Sequence, residues 1–241
     1  MRFKFLSAAS MPIAAIAVAA CALCAPVSAQ DDKAVVRSIL EKNGMKDVSV
    51  NDVAEFGRDG RAIVLKLNKR GLDGAALSAF PQEILKLTAL KGLFLKGNAL
   101  KGLPTDISAL SELVELNLAD NNDLGSLPPS IGSLSNLQKL DVRYCGLTDL
   151  PPEFGNLKRL ESLQMWGNGF VELPYCITEL SSLKEIYLKN NKLTMIPRDM
   201  VKMDNLRYVD VQLNYLCHLL PEVETWLASR DKRYKEHQYC N

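Results

Sequence analysis

The sequence predicts an α/β solenoid: a concave parallel β-sheet faces a convex side of irregular chain and short helices, with a helical N-terminal cap and a C-terminal cap. Two observations support this prediction. Within each block of the chain, apolar residues recur at the first, fourth and sixth positions, and the last two alternate with outward residues, as in a strand with one buried face. The blocks also recur at nearly constant spacing, 23 residues with one extra residue near Asn122. They begin at Leu90, Leu113, Leu137, Leu160, Leu183 and Leu206.

The first 29 residues have the layout of a secretory signal peptide. Arg2 and Lys4 precede an apolar run, and the small residues Val27-Ser28-Ala29 follow as a cleavage site. The run is shorter than the ~20 apolar residues that a membrane-spanning helix needs. We therefore expect residues 1–29 to be a signal peptide and the protein to be exported, to the periplasm, the cell surface or the medium.

A second kind of processing competes with cleavage after Ala29. The segment Val18-Ala19-Ala20-Cys21 resembles the lipobox of bacterial lipoproteins, in which the cysteine is acylated and becomes the N-terminus. Lipidation at Cys21 is the one membrane attachment that the sequence indicates. The compact, alanine-rich leader favours a bacterial source.

Charge and motif content argue against several function classes. The chain has 29 Lys+Arg and 28 Asp+Glu, so it lacks the basic excess that nucleic-acid binding requires. Its two histidines, His218 and His237, lie near the C-terminus outside any metal-binding spacing. Nucleotide-binding and hydrolase motifs are missing from the sequence. We expect no enzymatic activity, no metal and no cofactor.

The repeated block is specific enough to suggest a family. From Leu137 it reads LQKLDVRYCGLTDLPPEFGNLKR, and from Leu160 it reads LESLQMWGNGFVELPYCITELSS. These blocks resemble the unit LxxLxLxxNxLxxLPxxIxxLxx of the leucine-rich-repeat family. The resemblance covers residues 62–216, about six to seven units, and implies a horseshoe-shaped binding scaffold.

The sharp turn after each strand needs partners for its backbone groups. In the repeat unit, an asparagine side chain supplies them, and stacked repeats align these side chains in a ladder. Cys145 occupies the asparagine position of one repeat, where a thiol is a weaker donor. The predicted ladder residues are Asn98, Asn121, Cys145, Asn168, Asn191 and Asn214.

Both ends of a solenoid expose an apolar face that must be covered. Residues 30–61 are predicted as the N-terminal cap, and residues 217–241 as a C-terminal cap whose helix begins near Pro221. Cysteine-framed caps end many extracellular members of the family, so the resemblance implies a disulfide between Cys217 and Cys240. Such a bond would close a loop of about 24 residues and stabilise the fold by about 3 kcal/mol. The alternative is two free thiols.

Outward-facing strand residues form columns across the concave sheet. They place Arg143, Tyr144, Trp166 and Tyr187 near one another, and these residue types dominate binding hot spots. An exposed indole at Trp166 has no role in the repeat unit, although cross-strand packing alone could explain it. The predicted partner-binding surface comprises Phe94, Asp141, Arg143, Tyr144, Gln164, Trp166, Tyr187, Lys189 and Asp210.

The sequence thus predicts a non-enzymatic scaffold that binds a protein partner through its concave face. Two alternatives remain. Aromatic platforms also bind glycans, so carbohydrate or cell-wall binding is one. A structural surface lipoprotein, with its partner docked on the convex side, is the other.

Overall fold

The computed structural model describes residues 29–69 and 76–240, with side chains from residue 32 onward. Most of the predicted signal peptide, including the lipidation site Cys21, lies outside the described residues. Within them, eight strands form one sheet in chain order. The strands are β1 Ala54–Phe56, β2 Ala62–Lys66, β3 Gly92–Phe94, β4 Glu115–Asn117, β5 Lys139–Asp141, β6 Ser162–Gln164, β7 Glu185–Tyr187 and β8 Tyr208–Asp210.

Strands β2 to β8 pair in parallel, and each strand aligns with its neighbour at the equivalent repeat position. Leu93 pairs with Leu116, which in turn pairs with Leu140. These central leucines are almost completely buried, so neighbouring repeats share one continuous core. Among the strands of the described residues, only β1 runs antiparallel, against β2 at the N-terminal edge. The predicted solenoid with a parallel concave sheet is confirmed.

The convex side consists of short 3-10 helical segments, as the prediction of a short-helical arc required. They span Gln82–Lys86, Ile107–Ala109, Pro129–Ser133, Pro152–Asn156, Tyr175–Glu179 and Arg198–Lys202. Proline precedes most of them, because its fixed φ suits the first turn and it has no N–H to satisfy. Each segment turns an apolar residue at the equivalent position into the core: Ile84, Ile107, Ile131, Phe154, Ile177 and Met200.

The N-terminal edge is covered by helix α1, Ala29–Lys42, whose residues Val36, Ile39 and Leu40 are buried. Asp32 ties this helix to the sheet. Its fully buried carboxylate accepts the Ala62 N–H at 2.7 Å and the Arg61 Nε–H at 3.1 Å. The structure places a helical turn, α2 Val50–Val53, before β1, because the Ser49 side chain caps it by accepting the Asn51 N–H.

The ladder positions show one hydrogen-bond pattern. Asn121 Nδ2 donates to Leu118 O in its own repeat (2.6 Å) and to Leu95 O in the preceding repeat (3.0 Å). Its Oδ1 accepts the Leu100 N–H of the preceding repeat at 3.1 Å. Equivalent contacts surround Asn98, Asn168, Asn191 and Asn214. Each side chain therefore joins two adjacent repeats.

Cys145 can occupy a ladder position because the preceding repeat leaves one backbone group fewer for it to bind. Its Sγ donates to Leu118 O at 3.1 Å, which replaces one amide contact. The backbone N–H that an asparagine would accept there belongs to Leu124. The extra residue near Asn122 lets Leu124 N donate to Asn121 O at 3.0 Å instead. The extra residue near Asn122 therefore satisfies the backbone group that the Cys145 thiol cannot bind.

The C-terminal cap contains helix α3, Pro221–Arg230, with Val223, Trp226 and Leu227 buried against the last repeat. Cys217 and Cys240 form a disulfide with their Cα atoms 5.5 Å apart. This bond holds the end of the chain beside the sheet, where Tyr239 N donates to Asn214 O.

Gln238 extends the ladder from the cap. Its Nε2 donates to Val211 O at 3.0 Å, and its Oε1 accepts the Leu216 N–H at 3.2 Å. These are the contacts that the next asparagine after Asn214 would make. The sequence analysis missed this residue because it lies beyond the last recognisable repeat. Its spacing of 24 residues from Asn214, one repeat length, was the available signal.

Candidate binding surface on the concave face

The sheet places the predicted binding residues in two adjacent columns. The column that ends the strands contains Phe94, Asp141, Gln164, Tyr187 and Asp210. Arg143, Trp166 and Lys189 lie two residues further along their chains, and Tyr144 follows Arg143 directly. Phe94 lies two strands from Asp141, about 10 Å away, so it is not part of the same cluster.

Asp141, Arg143, Tyr144 and Trp166 form a packed group that we call the central site. The Arg143 guanidinium contacts Asp141 with two hydrogen bonds, Nε to Oδ1 at 2.8 Å and Nη2 to Oδ2 at 2.7 Å. Asn117 Nδ2 donates to the same carboxylate at 3.2 Å. These bonds raise the pKa of Arg143 above its usual value, and they hold the guanidinium in one orientation.

Trp166 is half-buried, which differs from the exposed indole that the sequence predicted. The Cζ atom of Arg143 lies 5.0 Å from the centre of its ring, within cation–π range. The Tyr144 ring meets it edge-on, with centroids 4.8 Å apart. Neighbouring side chains therefore cover part of the indole and leave a preformed aromatic surface.

Tyr144 has a strained backbone. The residue before each ladder position has positive φ. Besides Tyr144, these residues are Gly97, Asp120, Gly167, Asn190 and Leu213. Glycine, aspartate and asparagine tolerate this conformation, but the bulky residues Tyr144 (φ +50°) and Leu213 (φ +55°) are outliers. The Tyr144 ring packs over Gly167, where an added Cβ would lie 2.3 Å from Tyr144 Cε1.

A second aromatic pair lies nearer the C-terminal end of the face. The rings of Tyr187 and Tyr208 are 5.1 Å apart, and Tyr187 Oη donates to Glu185 Oε2 at 3.3 Å. Glu185 pairs across the sheet with Tyr208, and Tyr187 pairs with Asp210. We call these four residues the C-terminal site. The predicted surface omitted Glu185 and Tyr208, although their column positions placed them beside Tyr187 and Asp210.

The concave face is not the only exposed apolar surface. Val171, Tyr175 and Met195 lie in the loops and arc after β6 and β7, and all three are more than half exposed. They surround a shallow depression whose walls include Leu173 and Pro197. This patch is the place where the alternative of convex-side docking would apply.

The two thiols outside the disulfide, among the described residues, are buried. Burial raises the pKa of Cys145 to about 12 and that of Cys176 to about 11, because it disfavours the thiolate. Thiols of this kind are poor nucleophiles at neutral pH. Residues 29–69 and 76–240 contain no group of three His, Cys, Asp or Glu side chains arranged to hold a metal ion. No helix in that part of the chain is long and apolar enough to cross a membrane.

A family model described as "Leucine-rich repeat region" matches residues 116–229. The chain is also 34% identical to the leucine-rich-repeat ectodomain of the plant membrane receptor kinase GASSHO1/SCHENGEN3 from Arabidopsis thaliana, with a TM-score of 0.58 over 70% of this chain. The chain therefore has the leucine-rich-repeat fold. The TDR receptor structure agrees, with 30% identity and a TM-score of 0.57 over 69% of the chain.

The match concerns the repeat region rather than whole proteins. The leucine-rich-repeat and calponin homology domain-containing protein 1 of Mus musculus is 33% identical over 107 residues, which is 44% of this chain but 14% of that protein. The chain likewise spans 20% of the GASSHO1/SCHENGEN3 structure and 29% of the TDR receptor structure. The PEPR1–AtPEP1 structure shares the fold, with a TM-score of 0.64 at 19% identity, and the chain covers 30% of it.

Proposed function

We propose that this protein is an exported, non-enzymatic scaffold that binds a protein partner on its concave face, with the central site as the principal contact. The observation that carries the proposal is the Tyr144–Trp166 pair. A tyrosine occupies a backbone position suited to glycine, and its ring lies on Trp166 and Gly167 in a fixed arrangement. Preformed aromatic and arginine groups lose little entropy on binding, so they suit a protein interface.

A similar protein supports the class of partner. The GASSHO1/SCHENGEN3 ectodomain was solved in complex with CASPARIAN STRIP INTEGRITY FACTOR 2. The leucine-rich-repeat domain of that receptor therefore binds another polypeptide. The Cys217–Cys240 disulfide supports export, because such bonds persist mainly in oxidising compartments. A signal peptide at residues 1–29, or lipidation at Cys21, would provide the route.

Selection of random peptides on phage against the purified protein tests this proposal. We expect the selected peptides to bind Trp166→Ala about 30-fold more weakly than the unchanged protein, which corresponds to the loss of a hot spot of about 2 kcal/mol. Tyr175→Ala is the matched control, since it removes an exposed aromatic ring from the convex side. The concave-face proposal is wrong if the peptides bind Trp166→Ala normally or depend on Tyr175.

Carbohydrate binding is the second candidate, because Trp166 presents part of an aromatic face beside the polar groups of Asp141, Arg143 and Gln164. A glycan array with the same proteins separates the two. Selective glycan binding that disappears in Trp166→Ala, together with no peptide enrichment, would replace the protein-binding proposal.

A further inference from the structure

Asp141 and Asp210 occupy the same position in repeats three units apart. Both end their strands, β5 and β8, on the concave face. The residue two places later differs: Arg143 follows Asp141, whereas Gln212 follows Asp210. The two aspartates therefore share a repeat position, but Asp141 has a guanidinium partner and Asp210 does not.

The unpaired member of this comparison is Asp210. Its Oδ1 accepts the backbone N–H of Gln212 at 3.2 Å, and in the described residues it forms no ion pair. Burial raises its pKa above the usual range. The Gln212 N–H and the positive charges of Lys189 and Arg233 act against this shift, and Asp231 adds to it. Both cations are close enough to influence the carboxylate, but neither contacts it.

Aromatic rings lie near both carboxylates, although they belong to different neighbouring repeats: Trp166 is in the repeat after Asp141, and Tyr187 is in the repeat before Asp210. At the central site, the guanidinium lies over an aromatic ring, Trp166, while it contacts Asp141. At the C-terminal site, Tyr187 lies directly beside Asp210 in the sheet register and packs on Tyr208, which is 40% exposed. Glu185 adds a second carboxylate on the far side of the tyrosine pair.

We propose that the C-terminal site binds an arginine side chain of the protein partner, which pairs with the Asp210 carboxylate from the side of Tyr187 and Tyr208. The inference deepens the proposed function and rests on it, since it treats the concave face as the partner-binding surface. The guanidinium would contact the Asp210 carboxylate and stack on Tyr187 and Tyr208. Glu185 would add long-range attraction for the same charge.

The geometry favours arginine over lysine. A planar guanidinium makes two parallel hydrogen bonds to a carboxylate and stacks on an aromatic face at the same time. An ammonium group is a compact, strongly hydrated charge that cannot do both in this way. At the central site, one guanidinium contacts a carboxylate at this repeat position and an aromatic ring at the same time, although that ring belongs to the following repeat.

Titration with short peptides tests the inference without a native partner. The probes are the blocked tripeptides Gly-Arg-Gly, Gly-Lys-Gly and Gly-citrulline-Gly, because citrulline keeps the planar shape of arginine without its charge. Amide chemical shifts of the labelled protein at pH 7 and low salt report the binding. We expect shifts concentrated in residues 185–189 and 208–212, with the arginine peptide binding most tightly and the citrulline peptide most weakly.

Two variants make the assignment specific. Asp210→Asn removes the charge with little change of shape, and Gln212→Arg supplies an internal guanidinium, as in the Asp141–Arg143 pair. Each should weaken the arginine peptide about fivefold to tenfold, the worth of one charge-assisted contact at a partly exposed site. Each variant should keep the dispersed amide spectrum of the folded protein.

Three results would overturn the inference: equal binding of the arginine and citrulline peptides, shifts centred away from β7 and β8, or undiminished binding to Gln212→Arg. Failure here is distinguishable from failure of the proposed function. The phage selection depends on Trp166 and the titration depends on Asp210, so either result can stand without the other.

Discussion

The central and C-terminal sites place an aspartate at the same repeat position and leave it in opposite electrostatic situations. Asp141 is nearly buried and receives two hydrogen bonds from Arg143, which itself lies on Trp166. Asp210 keeps only a backbone contact, and burial raises its pKa. The same repeat position therefore stabilises the fold in one unit, through the Asp141–Arg143 pair, and leaves a carboxylate free for a partner in another.

The largest expected effect separates the two carboxylates by stability. Arg143→Ala should lower the free energy of unfolding by about 2 to 3 kcal/mol, because it leaves the Asp141 carboxylate buried without its charged partner. Gln212→Ala, the matched change beside Asp210, should cost less than about 0.5 kcal/mol. Urea unfolding measures both. Equal losses would show that the two positions do not differ in the way described.

A smaller effect is expected from the backbone beneath the aromatic pair. Gly167→Ala should cost about 2 kcal/mol, since φ is +72° and the new methyl group would meet the Tyr144 ring. Asn190→Ala changes the same repeat position one unit later, beside the C-terminal site. It should cost only about 1 kcal/mol, the price of the left-handed conformation alone. A cost at Gly167 no greater than at Asn190 would mean that the Tyr144 ring moves away freely.

The smallest effect concerns pH. The folded state binds the Asp210 proton more tightly than the unfolded state does, so ionisation of Asp210 lowers stability as pH rises above about 4 and through its raised pKa. Asp210→Asn should therefore be more stable than the unchanged protein at pH 7, by less than about 1 kcal/mol, and equally stable at pH 3. Thermal unfolding at both pH values measures the difference. Greater stability of the unchanged protein at pH 7 would indicate a partner for Asp210 within the chain.

The same variant links stability to recognition. If Asp210→Asn stabilises the fold and weakens binding of the arginine peptide, then Asp210 is a residue at which folding and binding have opposite requirements. Such trade-offs are common where an active surface holds unfavourable groups.

Much of this fold was predictable from period alone. A strand alternates its side chains between two faces, so the repeated leucines had to form the core and the residues between them had to form columns. The position of Asp141 beside Gln164, and of Tyr187 beside Asp210, follows from counting 23 residues. The sequence also indicated the disulfide, through its resemblance to a family with cysteine-framed caps.

Contacts between columns were not predictable in this way. Repeat counting places Tyr144, Trp166 and Tyr187 near one another, but it does not say which rings pack together. The structure divides them between two pairs, because the left-handed backbone at Tyr144 turns its ring toward Trp166 and Gly167, while Tyr187 packs on Tyr208. Rotamer choice and local backbone sign depend on neighbours in space, which a periodic pattern does not record.

The sequence by itself therefore determined the solenoid, its register and the set of side chains on the concave face, because all three follow from the two-residue alternation and the repeat length. Only the tertiary structure decided how those side chains are used. It pairs Asp141 with Arg143 and leaves Asp210 unpaired, and it brings Gln238 from the cap to extend the asparagine ladder. These outcomes depend on distances between groups in different columns or beyond the last repeat, where the periodicity gives no constraint.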